Sequence, residues 1–187
     1  MKIRLIKHRI VRSTNDEAIK LIKKGISSPT VITASKQSKG RGRMGKKWLS
    51  IYGNLFLTIL FTINYNKINF KQYTNLNARL IKQVLSKYVK KKIIIKWPND
   101  LLIDSKKVCG ILQEIIEYNK KKFIIVGVGI NTVTSPNIAG IKTTHLSKFS
   151  KKKVVNSKIL KDILKTYEKL ILKINKDDFT NIKLIIK

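Results

Sequence analysis

The sequence predicts an α+β domain: a mixed β-sheet with helices packed mainly on one side. Three observations predict it. The runs at 55–61 and 123–129 are nearly unbroken in apolar residues and of strand length, as strands buried on both faces are. Segments 72–88 and 158–173 instead repeat their apolar residues at helical spacing. Along the chain the order is strand, helix, strand, strand, helix, then several strands, then helices. A chain of 187 residues suffices for one such domain with a substantial core, and a single domain over residues 1–187 is expected.

Residues 3–10 form a short apolar-rich strand. Thr14-x-x-Glu17 then has the spacing of a capping box, so a helix is expected to start there. It carries Ala18, Ile19, Leu21 and Ile22 and stops at Gly25. Residues 30–34, after Pro29, read as a strand leading to a loop at 39–48. Gly53 and Asn54 mark a turn before the apolar run at 55–61. The helix of 72–88 aligns Leu76, Leu80, Ile81, Val84, Leu85 and Tyr88. A strand at 93–96 ends at Trp97-Pro98. Residues 101–103 and 107–114 pair as a hairpin about the turn 104–106. A second reversal at 118–121 leads into 123–129. The helix of 158–173 presents Ile159, Ile163, Leu164, Tyr167, Leu170 and Ile171, and another helix is expected over 177–186.

Composition narrows the function. With 43% hydrophobic residues the chain is not disordered, and no apolar run approaches the ~18 residues of a membrane span. Charge interrupts the N-terminal residues too often for a signal peptide. Cys109 is the single cysteine, which excludes a disulfide framework and points to a reducing cytoplasm. The formal charge of +31 favours anionic partners. Its lysines are scattered and lack interleaved aromatics, so they fit a generic lysine-rich surface better than a nucleic-acid footprint. An acidic partner remains compatible with that field.

Residues 39–48, KGRGRMGKKW, place three glycines among two arginines and three lysines before closing on Trp48. Glycine lets a backbone approach a ligand closely, and guanidinium grips carboxylate or phosphate with two prongs. The spacing fits neither a phosphate loop nor a dinucleotide fingerprint. On residue type alone, an anion-binding loop is favoured over a solvated turn.

Other candidates are weaker singly. Ser13 and Thr14 serve as helix caps in the plainest case, although a helix N-terminus also meets polar ligands. Trp97-Pro98-Asn99-Asp100 is a rigid turn by residue type. Gly110, Gly127 and Gly129 lie within strands, where glycine marks a bulge or a close approach. Asp16, Glu17, Asp100, Asp104, Glu114 and Glu117 are candidate acids. His8 and His145 stand isolated, which disfavours a histidine triad or zinc site.

Taken in order, these stretches resemble the biotin–protein ligases. The pattern is carried by Ser13-Thr14-Asn15, by Gln37, and by Gly40-Arg41-Gly42-Arg43-Met44-Gly45-Lys46-Lys47-Trp48. Lys96-Trp97-Pro98-Asn99-Asp100, Lys107-Val108-Cys109-Gly110-Ile111-Leu112 and Gly127-Val128-Gly129-Ile130-Asn131 complete it. The resemblance implies the class II synthetase-like catalytic domain shared by biotin and lipoate ligases. It implies a two-step reaction: biotin and ATP with Mg2+ give biotinyl-5′-AMP, which acylates a lysine of the biotin carboxyl carrier protein of acetyl-CoA carboxylase.

By position, Ser13, Thr14, Asn15 and Gln37 would line the biotin head-group site. Arg41, Gly42 and Arg43 would cover the biotin carboxylate and the activated phosphate, and Lys107 would hold their junction. Arg43 and Lys107 would thus be catalytic. Lys46, Trp48, Asn99 and Asn131, with Arg43, would bind ATP, and Asp100 would hold the metal. Lys46 stands where the family usually has arginine, which keeps the charge but loses the fork. Neither an N-terminal helix-turn-helix nor the family's C-terminal β-barrel is expected, so the implied form is the monofunctional one. No specific nucleic acid and no membrane is expected as partner, and the oligomeric state is open, a homodimer included. The alternatives are a lipoate–protein ligase or octanoyltransferase-like enzyme, and a degenerate basic binding module.

Overall fold

The computed structural model of the chain describes residues 2–63, 67–176, 178 and 182. The helix expected over 177–186 lies, apart from Asp178 and Ile182, outside the described residues. Seven strands among the described residues form one sheet in the order β1-β2-β3-β7-β6-β5-β4. They are β1 (Arg4–Val11), β2 (Thr30–Gln37), β3 (Leu55–Thr62), β4 (Ile94–Lys96), β5 (Asp100–Ile103), β6 (Lys106–Tyr118) and β7 (Lys121–Ile130). Only β1 and β2 pair in parallel, joined by helix α1 (Thr14–Lys23), and the other neighbours run antiparallel.

Helices α2 (Phe70–Leu85) and α3 (Asn156–Asn175) cover one face, against Leu57, Ile59 and Phe61 of β3 and Ile124, Val126 and Val128 of β7. Helix α1 covers part of the other, where Ala18 and Ile22 meet Ile32, Leu60, Phe123 and Ile125. The helices are therefore mainly, not wholly, on one side. Strand β3 is buried along nearly its whole length, as its unbroken apolar run requires.

Both expected hairpins form on two-residue turns. Asp104 and Ser105 join β5 to β6, and Asn119 and Lys120 join β6 to β7, all four at positive φ. Helix α2 begins earlier than its apolar stripe suggests, because Asn69 and Gln72 form a reciprocal capping box.

The capping box expected at Thr14 does not form. Ser13 is the N-cap and makes no side-chain cap, while Glu17 turns to Lys20 at 2.7 Å. The Thr14 amide, at the helix end, is capped from elsewhere: Gln37 Oε1, at the end of β2, accepts it at 2.8 Å. A residue 23 positions away thus satisfies a helix end that local spacing assigns to its own neighbours.

Candidate active site

Where α1 begins, the α1 face of the sheet is left uncovered and a cavity of about 920 Å³ opens. It is lined by Ser13, Thr14, Asn15, Gln37, Arg41, Gly42, Arg43, Lys46, Trp48, Asn99, Asp100, Lys107 and Asn131. Every residue singled out by position in the sequence lies on this one cavity. Residues 136–143, including Lys142 and Thr143, line it as well, and no residue pattern marks them in the sequence. Their attachment is tertiary: Lys107 donates its amide to Lys142 O at 2.8 Å and accepts Thr144 N–H at 2.9 Å.

The end of the cavity nearest α1 is polar and already wired. Thr14 Oγ1 donates to Gln37 Oε1 at 3.0 Å, and Gln37 Nε2 donates to Ser50 Oγ at 3.1 Å. Thr58 Oγ1 donates to Asn15 Oδ1 at 2.6 Å and lies 2.8 Å from Thr14 Oγ1. Asn15 Nδ2 donates to Glu114 Oε2 at 2.6 Å. Gly127 makes this seat: a Cβ there would fall 2.3 Å from Asn15 Oδ1. Thr14 and Asn15, buried beside Ser13, thus present fixed polar atoms and not mobile ones.

Two residues further along β7 the same device recurs. The Trp48 indole lies flat on the paired glycines Gly110 and Gly129, where added Cβ atoms would sit 2.7 and 2.3 Å from the ring. Both mid-strand glycines are therefore close-approach positions and not bulges. Asn131, buried at the end of β7, donates Nδ2 to Thr144 O at 3.1 Å and leaves Oδ1 without a protein partner. Trp48 Nε1 is likewise buried and unpartnered. These two atoms give this end one free acceptor and one free donor.

Between the two ends stand the cations. Lys107 Nζ lies 2.7 Å from Asp100 Oδ1 and 5.4 Å from the centre of the Trp48 ring. The 39–48 loop folds back on itself, Trp48 N–H to Gly40 O at 2.9 Å and Gly42 N–H to Lys46 O at 2.7 Å. Its tip is a tight turn at Arg43–Gly45 with positive φ at Met44 and Gly45. Gly40 is required for a different reason, since a Cβ would meet Trp48 O at 2.6 Å. Arg43, exposed, donates to Asn99 Oδ1 at 2.8 Å.

Arg41 is held differently. Its Nη1 and Nη2 donate to the two carboxylate oxygens of Glu114, each at 2.8 Å, and its Nε lies 3.0 Å from Asp16 Oδ1. The fork with Glu114, above all, pushes the guanidinium pKa above its ordinary value. Asp16 and Glu114 are thus site residues whose partners could not be read from residue type. Among the described residues, Asp100 is the one carboxylate that lines the cavity, and no group of three or more His, Cys, Asp or Glu side chains clusters as a metal site.

Sheet order, loop and cavity match the catalytic domain of solved biotin protein ligases. The biotin protein ligase of Aquifex aeolicus, solved with biotin and ATP, superposes with a TM-score of 0.78 at 30% identity, covering 98% of this chain and 77% of that one. The Leishmania major enzyme, solved with biotinyl-5-AMP, shares the fold at a TM-score of 0.75 and 19% identity, covering 92% of this chain and 80% of that one. Residues 8–131 match the model of the biotin/lipoate A/B protein ligase family, and the chain belongs to that family. The bifunctional ligase/repressor BirA of Bacillus subtilis is 32% identical over 97% of this chain, which spans 58% of that protein's length. The biotin–[acetyl-CoA-carboxylase] ligase of Paracoccus denitrificans is 31% identical over 70% of this chain and 55% of its own.

Proposed function

We propose that the chain is an ATP-dependent biotin–protein ligase that makes biotinyl-5′-AMP and passes biotin to a lysine of a biotin carboxyl carrier protein. The observation that carries this reading is the single cavity with a fixed polar end, a cationic middle and an aromatic–amide end. A ureido ring suits the wired Ser13, Thr14, Asn15 and Gln37 end. An adenine suits Trp48 with the free acceptor of Asn131, since its amino group is a donor. The relatives solved with biotin and ATP support the same assignment. Among the described residues no helix is long and apolar enough to cross a membrane. The proposed site of action is the cytoplasm, where the lone Cys109 stays reduced.

In the first step a carboxylate oxygen of biotin attacks the α-phosphorus of MgATP and pyrophosphate leaves. Two anions must meet, so cations are needed at their junction, most of all as charge builds at phosphorus. Lys107 and Arg43 fill that role, with Lys46 toward the phosphates. In the second step the acceptor amine attacks the acyl carbon, loses a proton and expels AMP. The adenylate is a mixed anhydride with a good leaving group, so no protein nucleophile is needed. Asp100 fits as a ligand to the Mg2+ of the nucleotide, because that ion keeps waters and phosphate oxygens and asks for only one or two carboxylates. The ion would neutralise charge on the departing pyrophosphate.

Biotin-dependent exchange of labelled pyrophosphate into ATP tests the first step. Exchange that needs both biotin and Mg2+ is expected; its absence, with the protein folded, would overturn the assignment. A basic binding module would instead retain nucleic acid in a salt-dependent way, indifferent to biotin.

A further inference from the structure

We infer that Glu114 is a positioning residue that ties the 39–48 loop and Asn15 to one carboxylate, so that loop closure and head-group recognition are coupled through it. The inference rests on the proposed biotin–adenylate chemistry for its ligands, but the clamp itself is a property of the protein. Three elements converge on it. Strand β6 supplies Glu114, helix α1 supplies Asn15 and Asp16, and the loop supplies Arg41. One oxygen of Glu114 accepts from Arg41 Nη1, and the other accepts from both Arg41 Nη2 and Asn15 Nδ2.

Charge decides what Arg41 can do there. One guanidinium facing two carboxylates is fully matched, so Arg41 offers no spare positive charge to an incoming carboxylate or phosphate. The residue is spent on holding the base of the loop. Arg43 and Lys46, nearer the tip and exposed, keep theirs available. The two carboxylates differ in reach. Asp16 touches only the Arg41 side of the cluster, with Arg12 more distant at 3.8 Å. Glu114 touches Arg41 and Asn15 together. Gly127 beneath Asn15 and Thr58 beside it fix its amide, and the other acceptor of its Nδ2, Leu112 O, stands farther off at 3.5 Å.

Glu114→Gln keeps the shape, removes the charge and replaces one acceptor oxygen with a donor NH2. Turned one way that group faces Arg41 Nη1 and one bond is lost; turned the other it faces both Arg41 Nη2 and Asn15 Nδ2 and two are lost, and in either pose Asn15 no longer donates to a carboxylate. Loss of the charge and of at least one charge-assisted hydrogen bond predicts roughly tenfold faster release of the adenylate and several-fold weaker biotin binding without ATP. Asp16→Asn should speed adenylate release and leave biotin binding unchanged. A ligand-free readout separates the clamp from the ligand assignment. Trypsin should cut the unliganded 39–48 loop, at Arg43, Lys46 or Lys47, several-fold faster in both variants, with melting temperatures close to the parent's. Glu114→Asp keeps the charge and should recover part of the protection.

Unchanged cleavage and unchanged adenylate release in Glu114→Gln would overturn the inference. So would identical effects of Glu114→Gln and Asp16→Asn on biotin binding, since the coupling through Asn15 would then be absent. If the parent protein bound no biotin while the cleavage pattern held, the ligand assignment would fall and the clamp would stand.

Discussion

Lys107 and Asp100 form a 2.7 Å ion pair across neighbouring strands, with the face of Trp48 beside the ammonium. Lys107 is only 23% exposed along its side chain, so the pairing keeps an otherwise costly charge in place and points it into the cavity. Lys107→Ala should reduce adenylate formation by about 10²- to 10³-fold, the scale of losing one preorganised group that stabilises transition-state charge. Biotin binding without ATP should fall only a few-fold, because the polar end of the cavity does not touch Lys107. Pyrophosphate exchange and calorimetry with biotin would check the two halves; a variant with undiminished exchange would remove Lys107 from the chemistry.

Arg43 is the opposite kind of cation. It is exposed, and its side chain donates to the neutral Asn99. Arg43→Gly should leave the melting temperature and biotin affinity nearly unchanged while adenylate escapes into solution. The measurement is the fraction of biotinyl-AMP in the filtrate of a quenched reaction. Adenylate retained as tightly as in the parent would show that the loop closes without this side chain.

The two glycines of β7 act as a ruler. Gly127 and Gly129 share a face ~7 Å apart, and each makes room for one side chain of the cavity: Asn15 at the first, Trp48 at the second. Added methyl groups should therefore give separable defects. Gly127→Ala should weaken biotin far more than ATP, and Gly129→Ala the reverse, each costing roughly 1–3 kcal/mol of stability through overpacking. Ligand titrations of both variants would test the separation. Equal loss of both ligands in both variants would mean that the strand, and not the two seats, had been disturbed.

Much of this arrangement was legible in the sequence because its signals are local. Apolar runs gave strands β3 and β7, turn residues gave the two hairpins, and glycines among cations gave the 39–48 loop. What escaped depends on partners far apart along the chain. Nothing near Thr14 shows that Gln37 will cap its amide, and the local Thr14–Glu17 spacing points elsewhere. Arg41 reads as a ligand-binding cation, and nothing in the sequence shows that Glu114, 73 residues on, lies against it. Residues 136–143 carry no distinctive residue type, and only their backbone bonds to Lys107 place them on the cavity.

A buried network away from the cavity predicts a purely structural effect. Tyr167 Oη donates to Asn77 Oδ1 at 2.9 Å, and Asn77 Nδ2 donates to Gln113 Oε1 at 2.6 Å, joining α3 and α2 to β6. Tyr167→Phe would strand the Asn77 oxygen in the core at a cost of about 1–3 kcal/mol. Denaturant unfolding should show that loss, with pyrophosphate exchange unchanged below the new transition.

The same core sets an alkaline limit on stability. Burial raises the pKa of Cys109, Tyr73 and Tyr167, and that of Tyr88 is pushed up to about 12 by burial and by Asp162. For each acid the neutral form is favoured in the folded state. The stabilisation is therefore complete below the unfolded pKa and is lost as pH rises toward the folded one. Above the ordinary thiol value of 9.0, the unfolded chain releases a proton that the folded chain keeps at Cys109, and the tyrosines add to this above 10.0. Each fully buried group steepens the fall by about 1.4 kcal/mol per pH unit. Stability should be flat with respect to these groups below pH ~8.5 and decline in two stages above it. Cys109→Ala should remove the first stage and leave the second, read as unfolding free energy against pH; an unchanged onset in that variant would exclude the thiol as its source.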